Sequence, residues 1–562
     1  MNLAGHAIAV QSPRFGDDWW QRGVIYQVYP RSFADSDGNG VGDLPGIVGR
    51  LDYLGSGGLG VDALWLSPIY PSPGLDLGYD VGDHGSVDPL FGTEADFDRL
   101  IDQAHRRGIR IILDLVLNHT SDRHPWFRSS RSSRTGPFAD WYLWRDPAGY
   151  GPDGEPLPPN NWTSYFGGPG WQWEPRRKQF YFHTFLTEQP ELDWRTPAVE
   201  AAQFAMVRRW LDRGVDGFRL DVFNALLKHP GLPSNPSRPG TSTWARQVHR
   251  YDRDQPDLKD LIGRFRAMID AVPGRMTVGE LFDGQIEQAA ELTAPRHLVF
   301  DWELLGTQWT AAAVNAALAR RAAVFGADRW PTVVLSNHDQ SRHASRLVAS
   351  VPGHDRDAVA KAAAVLLLTV RGTPFIYYGE EIGMEDVEIP PEESVDPPAA
   401  RVGPDFAWWD RSRSRTPMPW SGGPGAGFTT GRPWLRIGSD SATRNVAAQL
   451  GDPGSVLALY RRLTSLRAGM PALQVGAFEL LATAGAPVVA YTRTTPSQTL
   501  LVVLNLSREA ATWRLPDAPA GRRWQTALST GGETAAAEGF PTDLDCRLEA
   551  DEARILEAVA DD

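Results

Sequence analysis

The chain has 562 residues, of which 42% are hydrophobic and 22% charged, and its formal net charge is −13 at pH 7. This composition is ordinary for a globular protein, and the negative charge argues against nucleic acid or an anionic membrane as a partner. The single cysteine, Cys546, excludes an intramolecular disulfide and a multi-thiolate metal site. Residues 1–13 lack the features of a secretory signal and no apolar run reaches membrane-spanning length, so the sequence predicts a cytoplasmic protein.

Strand-like and helical segments alternate along the first part of the chain. Residues 23–30 and 61–68 predict two strands, and residues 108–119 predict a third. The third is almost continuously apolar, as expected for a strand that is buried on both faces of a parallel sheet. Helical patterns at 47–54 and 94–107 belong to the same series. Such repeated units favour a parallel barrel or a doubly wound sheet.

An acidic, glycine-rich loop follows the first predicted strand. It places oxygen atoms at alternate positions, on Asp35, Asp37, Asn39, the Val41 carbonyl and Asp43. The glutamate that closes an EF-hand is missing at the twelfth position, so the loop is not an EF-hand. We expect a structural divalent cation here, Ca²⁺ or Mg²⁺, and the alternative is a solvated acidic turn that binds no ion.

The alternation of strands and helices is interrupted between residues 120 and 193. This stretch is rich in Gly, Pro, Trp and Arg and is far longer than an ordinary loop, so it predicts an inserted domain. Five further strands are predicted after it, at 217–221, 276–280, 297–301, 332–339 and 373–378.

The eight strand–helix units predict an α/β fold, a (β/α)8 TIM barrel. We assign the barrel to residues 14–119 and 194–470, with the inserted domain at 120–193 after the third strand. Short alternating segments predict a C-terminal antiparallel β-sandwich domain at 471–562.

Polar residues occupy the ends of four predicted strands, where barrel enzymes carry their active sites. Arg219 and Asp221, two positions apart, are expected side by side, so that the guanidinium lowers the pKa of Asp221 and keeps it ionised. Glu280 has no basic neighbour in the sequence and is therefore the better proton donor. With Asp339 as a third carboxylate, this set suits glycosidic cleavage. The alternative for Arg219 and Asp221 is a structural ion pair.

The chain resembles the α-amylase superfamily, glycoside hydrolase family thirteen, and within it the α-glucosidase and oligo-1,6-glucosidase branch. Five motifs carry the resemblance in the family's order, at residues 114–119, 217–221, 279–280, 337–339 and 372–381. The resemblance implies that Asp221 is the nucleophile, Glu280 the general acid/base and Asp339 the stabiliser of the transition state. It also implies retention of configuration and supports the divalent cation in the acidic loop.

The same resemblance implies how the substrate is held. His119 and His338 are expected to bind sugar hydroxyls, and Tyr79 to stack on the ring. Asp76 and Arg415 match a pair that closes the pocket around the terminal glucose, although Arg411 competes with Arg415 for this position. The remaining expected contacts are Phe185, Gln189 and Arg219.

The sequence therefore predicts a retaining exo-α-glucosidase that acts on short maltose- or isomaltose-type oligosaccharides. Val222, after the nucleophile, accompanies α-1,6 activity in this branch. The alternatives are a transglucosylase or a sucrose- or trehalose-cleaving relative, and a more distant one is a non-catalytic subunit of a transporter. We expect a small oligosaccharide as the substrate and no organic cofactor. We expect neither nucleic acid nor a membrane as a partner, and the protein to be a monomer or homodimer.

Overall fold

The structure is a computed structural model that describes residues 14–293, 297–397, 410–482, 485–531 and 545–560. The segment used above to predict the absence of a secretory signal, residues 1–13, lies outside the described residues. So does part of the predicted C-terminal domain. Among the residues described, no helix is long and apolar enough to cross a bilayer.

Eight parallel strands form one sheet, in which the first six strands pair in chain order and the eighth pairs with the first and the seventh. The Thr332 hydroxyl links the two outer strands, since it accepts from the Asp301 amide at 2.9 Å and donates to the Val299 carbonyl at 3.4 Å. The predicted (β/α)8 barrel is confirmed. Its strands are β1 (Ile25–Val28), β2 (Ala63–Leu66), β3 (Arg110–Leu115), β4 (Gly217–Leu220), β5 (Met276–Gly279), β6 (Leu298–Val299), β7 (Thr332–Val334) and β8 (Thr373–Tyr377).

Helices surround the sheet, and several begin with a side chain that caps the first turn. The Thr93 side chain accepts a hydrogen bond from the Asp96 amide, and the Asp96 side chain accepts one from the Thr93 amide. The two bonds form a capping box. The principal helices are Leu44–Val48, Leu51–Leu54, Glu94–Arg106, Pro197–Asp212, Leu258–Asp270, Ile286–Thr293, Ala311–Phe325, His343–Ser350, Arg356–Thr369 and Val456–Gly469. Shorter ones are Trp19–Arg22, Pro30–Phe33, Val446–Leu450 and Pro471–Val475.

The inside of the barrel is a packed apolar layer. Trp65, Ile112, Val278, Phe300 and Phe375, from five different strands or strand ends, pack in one buried cluster. Because side chains alternate along each strand, the next inward positions lie at the C-terminal end of the sheet, where the polar residues are. The apolar layer thus forms the floor of the site described below.

The stretch between β3 and β4 contains helix Pro125–Ser132 and five short strands, and its core is aromatic. Trp162, Trp171 and Phe182 pack in one buried cluster. A backbone bridge between His119 and Glu191 fastens the end of this stretch to the barrel. The strands are Trp144–Arg145, Gly149–Tyr150, Pro156–Leu157, Trp171–Glu174 and Gln179–Phe182.

The C-terminal region is antiparallel, as predicted. A five-stranded sheet faces a two-stranded one, and both sheets contribute to one apolar core. Arg493 and Asn315 join this region to the barrel helices through the Thr369 and Val488 carbonyls. Its strands are β9 (Ala477–Leu480), β10 (Val488–Thr494), β11 (Thr499–Asn505), β12 (Ala511–Arg514), β13 (Arg522–Ser529), β14 (Asp545–Leu548) and β15 (Ala553–Ala560).

Candidate active site

Charged side chains from four barrel strands converge at the C-terminal end of the sheet. Asp114 lies in β3 and Arg219 in β4, and Asp221 follows β4 directly. Glu280 follows β5, and Asp339 lies beyond the end of β7. Asp114 and Arg219 are paired in the register of β3 and β4, so both side chains enter the barrel at one level.

Arg219 is the centre of this group, with a side chain that is only 1% exposed. Its Nη1 atom donates to Asp114 Oδ1 at 2.8 Å and to Asp221 Oδ1 at 2.7 Å, and Nη2 donates to Glu280 Oε2. The predicted contact between Arg219 and Asp221 is confirmed. Glu280 has no basic neighbour in the sequence, but β4 brings Arg219 to it from a distant part of the chain.

One guanidinium serves three carboxylates, which changes their titration. Burial raises the pKa of Asp221 more than Arg219 lowers it, and Glu280 raises it further. Burial also raises the pKa of Glu280, against the effect of Arg219, and Asp339 adds to the rise. The expectation that Arg219 holds the pKa of Asp221 low is therefore wrong, since Asp114 and Glu280 share the same cation. Asp221 and Glu280 both bond to this guanidinium, through Nη1 and Nη2, and titrate as a pair that retains a proton.

Asp339 has the opposite environment. Its Oδ1 atom accepts from Arg415 Nη2 at 2.8 Å and from Arg411 Nη1 at 3.1 Å, and Oδ2 lies 3.0 Å from His338 Nε2. Burial raises the pKa of Asp339, but the His338 ring nitrogen at Oδ2 and the cations Arg411 and Arg415 outweigh burial and hold the pKa below its usual range. Asp339 is therefore ionised while the neighbouring pair keeps a proton.

The arginine that meets Asp76 is Arg411, at 2.9 Å from Nη2 to Oδ1. Arg415, the residue expected in this role, lies beneath the site, with its Nε donating to the His338 carbonyl at 2.7 Å. The short 3₁₀ turn Arg411–Ser414 separates the two and directs their side chains to different levels. Asp396 fixes Arg411 further, with Oδ1 2.6 Å from Nη2. The expected pairing of Asp76 with Arg415 is corrected accordingly.

Tyr79 lines the pocket, and His338 is buried behind it. Their rings are stacked, with centroids 5.3 Å apart and an interplanar angle of 7°. Gln27 Nε2 lies 2.8 Å from His338 Nδ1, which assigns the ring proton to Nε2, next to Tyr79 Oη at 2.5 Å. Tyr79 then donates to Asp114 Oδ2 at 3.0 Å. Burial lowers the pKa of His338 well below its usual value, so the imidazole is neutral.

His119 and Phe185 form one side of the pocket, and Gln189 is buried behind them. Gln189 Nε2 donates to Asp76 Oδ2 at 3.0 Å and lies 3.2 Å from His119 Nε2. The Phe185 ring is tilted against His119 at 5.3 Å. Burial lowers the pKa of His119 to about 3, so this ring is also neutral. The structure thus brings these predicted residues together around Asp76.

A cavity of about 290 Å³ opens above these groups. This volume is near the lower end of the range for small-molecule sites, roughly 300–1,000 Å³. Sequence reasoning missed much of its wall, because these residues lie outside the strand-end motifs. The only signal was the aromatic content of the inserted stretch and of the residues after Glu280. The missed residues that line the cavity include Tyr165, Phe166, Phe282, Asp283, Trp302, Leu305 and Gln340.

Val222, directly after Asp221, has a strained backbone. Its φ of 34° and ψ of 40° are in the left-handed region, which a β-branched residue rarely adopts. The residue lines the cavity, and the turn that it forms leads the chain away from Asp221 into a 3₁₀ segment at Phe223–Ala225. Strain of this kind is concentrated at functional sites.

The acidic loop lies apart from the cavity and brings three carboxylates together. One oxygen atom from each of Asp35, Asp37 and Asp43 lies within 4.8 Å of the others. Asn39 Nδ2 donates to Asp37 Oδ2 at 3.1 Å, and Asn39 Oδ1 accepts from the Val41 amide at 2.8 Å. An all-oxygen set of this kind fits a hard divalent cation such as Ca²⁺ or Mg²⁺.

Comparison with known proteins agrees with this geometry. A family model described as the catalytic domain of alpha amylase matches residues 27–476. A probable alpha-glucosidase of Rhizobium meliloti is 44% identical over 514 residues, which cover 89% of this chain and 91% of the relative. An oligo-1,6-glucosidase of Heyndrickxia coagulans is 36% identical over 560 residues, 93% of this chain and 98% of the relative.

Among solved structures, an alpha-glucosyl transfer enzyme superposes with a TM-score of 0.87 at 40% identity. The match covers 98% of this chain and 100% of that protein. A match of this extent covers the barrel, the inserted stretch and the C-terminal sheets alike. The chain belongs to the α-amylase family of glycoside hydrolases, in the α-glucosidase and oligo-1,6-glucosidase branch.

Proposed function

We propose that the protein is a retaining, exo-acting α-glucosidase that removes terminal glucose from short α-linked oligosaccharides. The observation that carries the retaining mechanism is that Asp221 and Glu280 bond to the two terminal nitrogen atoms of one guanidinium, that of Arg219. Inverting enzymes keep their two carboxyl groups roughly 6.5–9.5 Å apart to admit a water molecule, whereas retaining enzymes keep them closer. Two carboxyl groups that are held on one guanidinium lie close together, so Asp221 attacks the sugar directly.

The reaction then proceeds in two displacements. Asp221 forms a bond to the anomeric carbon as the glycosidic bond breaks, and Glu280 gives its proton to the departing oxygen. In the second step Glu280 takes a proton from water, whose oxygen attacks the anomeric carbon and releases Asp221. Asp339, ionised between its two arginines, accepts hydrogen bonds from the sugar and offsets the positive charge of the oxocarbenium-like transition state.

Exo-cleavage is supported by the closed end of the pocket. The Asp76–Arg411 pair crosses the cavity wall, and Gln189 holds Asp76 from the other side. A chain that entered from this direction would have to break a buried ion pair, which is costly. The terminal glucose therefore enters first, with His119 and Tyr79 beside it.

A second candidate activity is transfer of glucose to another hydroxyl compound. It is favoured by the likeness to an alpha-glucosyl transfer enzyme and by the aromatic rings of Tyr165, Phe166 and Phe282 at the cavity wall, which suit an acceptor that excludes water. Both activities share the same covalent intermediate. The non-catalytic alternative is disfavoured, because Asp221, Glu280 and Asp339 all line one cavity.

We further propose that a structural Ca²⁺ or Mg²⁺ is held by the acidic loop, through Asp35, Asp37, Asn39, the Val41 carbonyl and Asp43. Its contribution is to fix the loop, and no chemical step involves it. The cytoplasmic location and the monomeric or homodimeric state remain predictions from the sequence.

The nucleophile and acid roles are tested by substitution. Asp221→Ala should lower kcat by about 10⁴-fold or more on any α-glucoside, because no covalent intermediate forms. Glu280→Gln should lower kcat/KM by about 10²–10⁴-fold on maltose and much less on p-nitrophenyl α-glucoside, whose phenolate leaves without a proton. On the aryl glucoside kcat should still fall, because the second step lacks its base. Glu287→Gln, an exposed glutamate on the following helix, is the matched control and should keep full activity. Substantial turnover by Asp221→Ala would contradict the assignment.

The pH profile tests the shared proton. Both pKa values in the Asp221–Glu280 pair are raised, so the acidic limb of kcat/KM should lie above about pH 4, where exposed carboxyls titrate. Activity should fall again at higher pH, as the pair loses its last proton. In Glu280→Gln, assayed on an aryl glucoside, the alkaline limb of kcat/KM should disappear. The acidic limb should move to lower pH, because the repulsion between the Asp221 and Glu280 carboxylates is removed. An unchanged alkaline limb would exclude Glu280 as the acid.

Linkage and acceptor preference are tested on maltose, isomaltose, trehalose and sucrose. Since Val222 lines the cavity beside Asp221, we expect isomaltose to be hydrolysed with a kcat/KM comparable to that of maltose, and both to exceed trehalose and sucrose. Val222→Thr, which keeps the shape, should shift the isomaltose-to-maltose ratio toward maltose by about tenfold or less. Predominant oligosaccharide synthesis at low substrate concentration would favour transfer over hydrolysis.

The cation is tested by thermal denaturation after chelation. Added Ca²⁺ or Mg²⁺ should raise Tm, since a ligand at a hundred times its Kd stabilises the folded state by about 2.7 kcal/mol. Asp37→Ala should abolish this rise and leave activity on maltose unchanged below the melting range. Asp153→Ala, an exposed aspartate of the inserted stretch, should respond to the cation as the unmodified protein does. Equal responses of both variants would exclude the site.

A further inference from the structure

Two adjacent tyrosines at the end of β8 bond to the segment that carries Arg415. Tyr377 Oη donates to the Ser414 carbonyl at 3.0 Å, and Tyr378 Oη donates to the Thr416 carbonyl at 2.7 Å. These two carbonyls belong to the residues directly before and after Arg415. The tyrosines therefore hold the backbone on both sides of one arginine.

A third hydroxyl bonds to the carbonyl that lies between these two. Ser32 Oγ, from the short helix after β1, donates to the carbonyl of Arg415 itself. The Ser32 hydroxyl is fixed in turn, because it accepts from Trp434 Nε1 at 3.1 Å. Three successive carbonyls thus each accept a hydrogen bond from a distant part of the chain. We call the hydroxyls of Ser32, Tyr377 and Tyr378 the hydroxyl clamp.

The hydroxyl clamp is buried and satisfies carbonyls that regular structure does not. Ser32, Tyr377 and Tyr378 are each at most 1% exposed, and residues 415–420 belong to no helix or strand. A buried carbonyl without a partner is costly, so the three bonds decide the path of the backbone here. Burial raises the pKa of Tyr377 and of Tyr378, so both hydroxyls keep the proton that they donate.

Arg342 fixes the two tyrosine rings. Its guanidinium carbon lies 4.6 Å from the ring centroid of Tyr377 and 4.7 Å from that of Tyr378. Its Nη1 atom donates to the Tyr378 carbonyl at 2.6 Å. The two rings also meet edge to face, with centroids 4.7 Å apart. The donors of the hydroxyl clamp are thus held in place before a substrate binds.

The residue that the hydroxyl clamp holds is one of the two arginines on Asp339. The Arg415 side chain is fully buried, and its Nη2 atom donates to Asp339 Oδ1 at 2.8 Å while Nε donates to the His338 carbonyl at 2.7 Å. A shift of the backbone at Arg415 would therefore move or weaken the contact with Asp339. The stabilisation of a positive transition state depends on where such a fixed negative charge lies.

We infer that Ser32, Tyr377 and Tyr378 are positioning residues for the reaction: their hydroxyls fix Arg415, and through Arg415 they fix the charge of Asp339. The inference rests on the proposed glucosidase function and deepens it. None of the three residues lines the active-site cavity, so they act on the sugar only through that charge.

The test removes single hydroxyls and compares a charged ligand with a neutral one. Tyr377→Phe and Tyr378→Phe each keep the ring and lose one donor. For each variant we expect kcat/KM on maltose to fall about tenfold, the effect of about one hydrogen bond. The inhibition constant Ki of deoxynojirimycin, a glucose analogue with a protonated ring nitrogen, should rise by a similar factor. The Ki of glucose, which is neutral, should change by less than about twofold.

The ratio of the two Ki values separates positioning from stability, because it does not depend on how much of the enzyme is folded. Tyr460→Phe is the matched control. Tyr460 lies on the helix Val456–Gly469 and is equally buried, but its hydroxyl has no hydrogen-bond partner within the described part of the chain. This variant should leave kcat/KM and both Ki values unchanged.

Ser32→Ala is a second variant, on a different element, and should also raise the Ki ratio of deoxynojirimycin to glucose. A Ki ratio that stays unchanged in all three variants of the hydroxyl clamp, even where Tm falls, overturns the inference while the glucosidase function stands. An unmodified enzyme that hydrolyses no α-glucoside instead overturns the proposed function.

Discussion

The arrangement of the active site depends on one buried cation, the Arg219 guanidinium. It is shielded from solvent and bonded to Asp114, Asp221 and Glu280. A guanidinium in the middle of a barrel is tolerated only when anions surround it, and those anions are also too many for one cation to neutralise. The same contact therefore stabilises the end of the sheet and forces a proton to remain in the site. Structure and acid catalysis have a common electrostatic origin here.

A second cluster has a different balance of charge. Arg411 and Arg415 both bond to Asp339, whereas Asp221 and Glu280 must share Arg219. Arg411 and Arg415 keep Asp339 ionised, whereas Arg219, which is shared, leaves a proton on the pair Asp221 and Glu280. Carboxylates of one pocket thus acquire opposite protonation states, which is how the pocket supplies both an acid and a fixed negative charge. The number of cations per carboxylate separates the roles.

Much of the fold could be predicted from the sequence, because each barrel strand has an apolar run that ends in polar residues. Asp221 and Glu280 lie at such ends and could be found locally. Contacts between different strands could not be predicted in this way. These contacts place Arg219 beside Glu280 and decide the depth at which Arg411 lies in the site. The aromatic wall was missed for a related reason: Tyr165 and Trp302 follow no strand-end pattern, and the folding of long loops is what brings them to the cavity.

This division between strands and loops also explains how the site can change specificity. The charged groups are fixed by β3, β4 and β5, whose register leaves little freedom. One wall of the cavity is built from the loops after β5 and β6, which tolerate substitution because they carry little of the barrel core. Trp302 belongs to both regions, since it packs on Phe300 at the floor and lines the cavity. A change at this residue alters the wall of the site without disturbing the groups that cleave the bond.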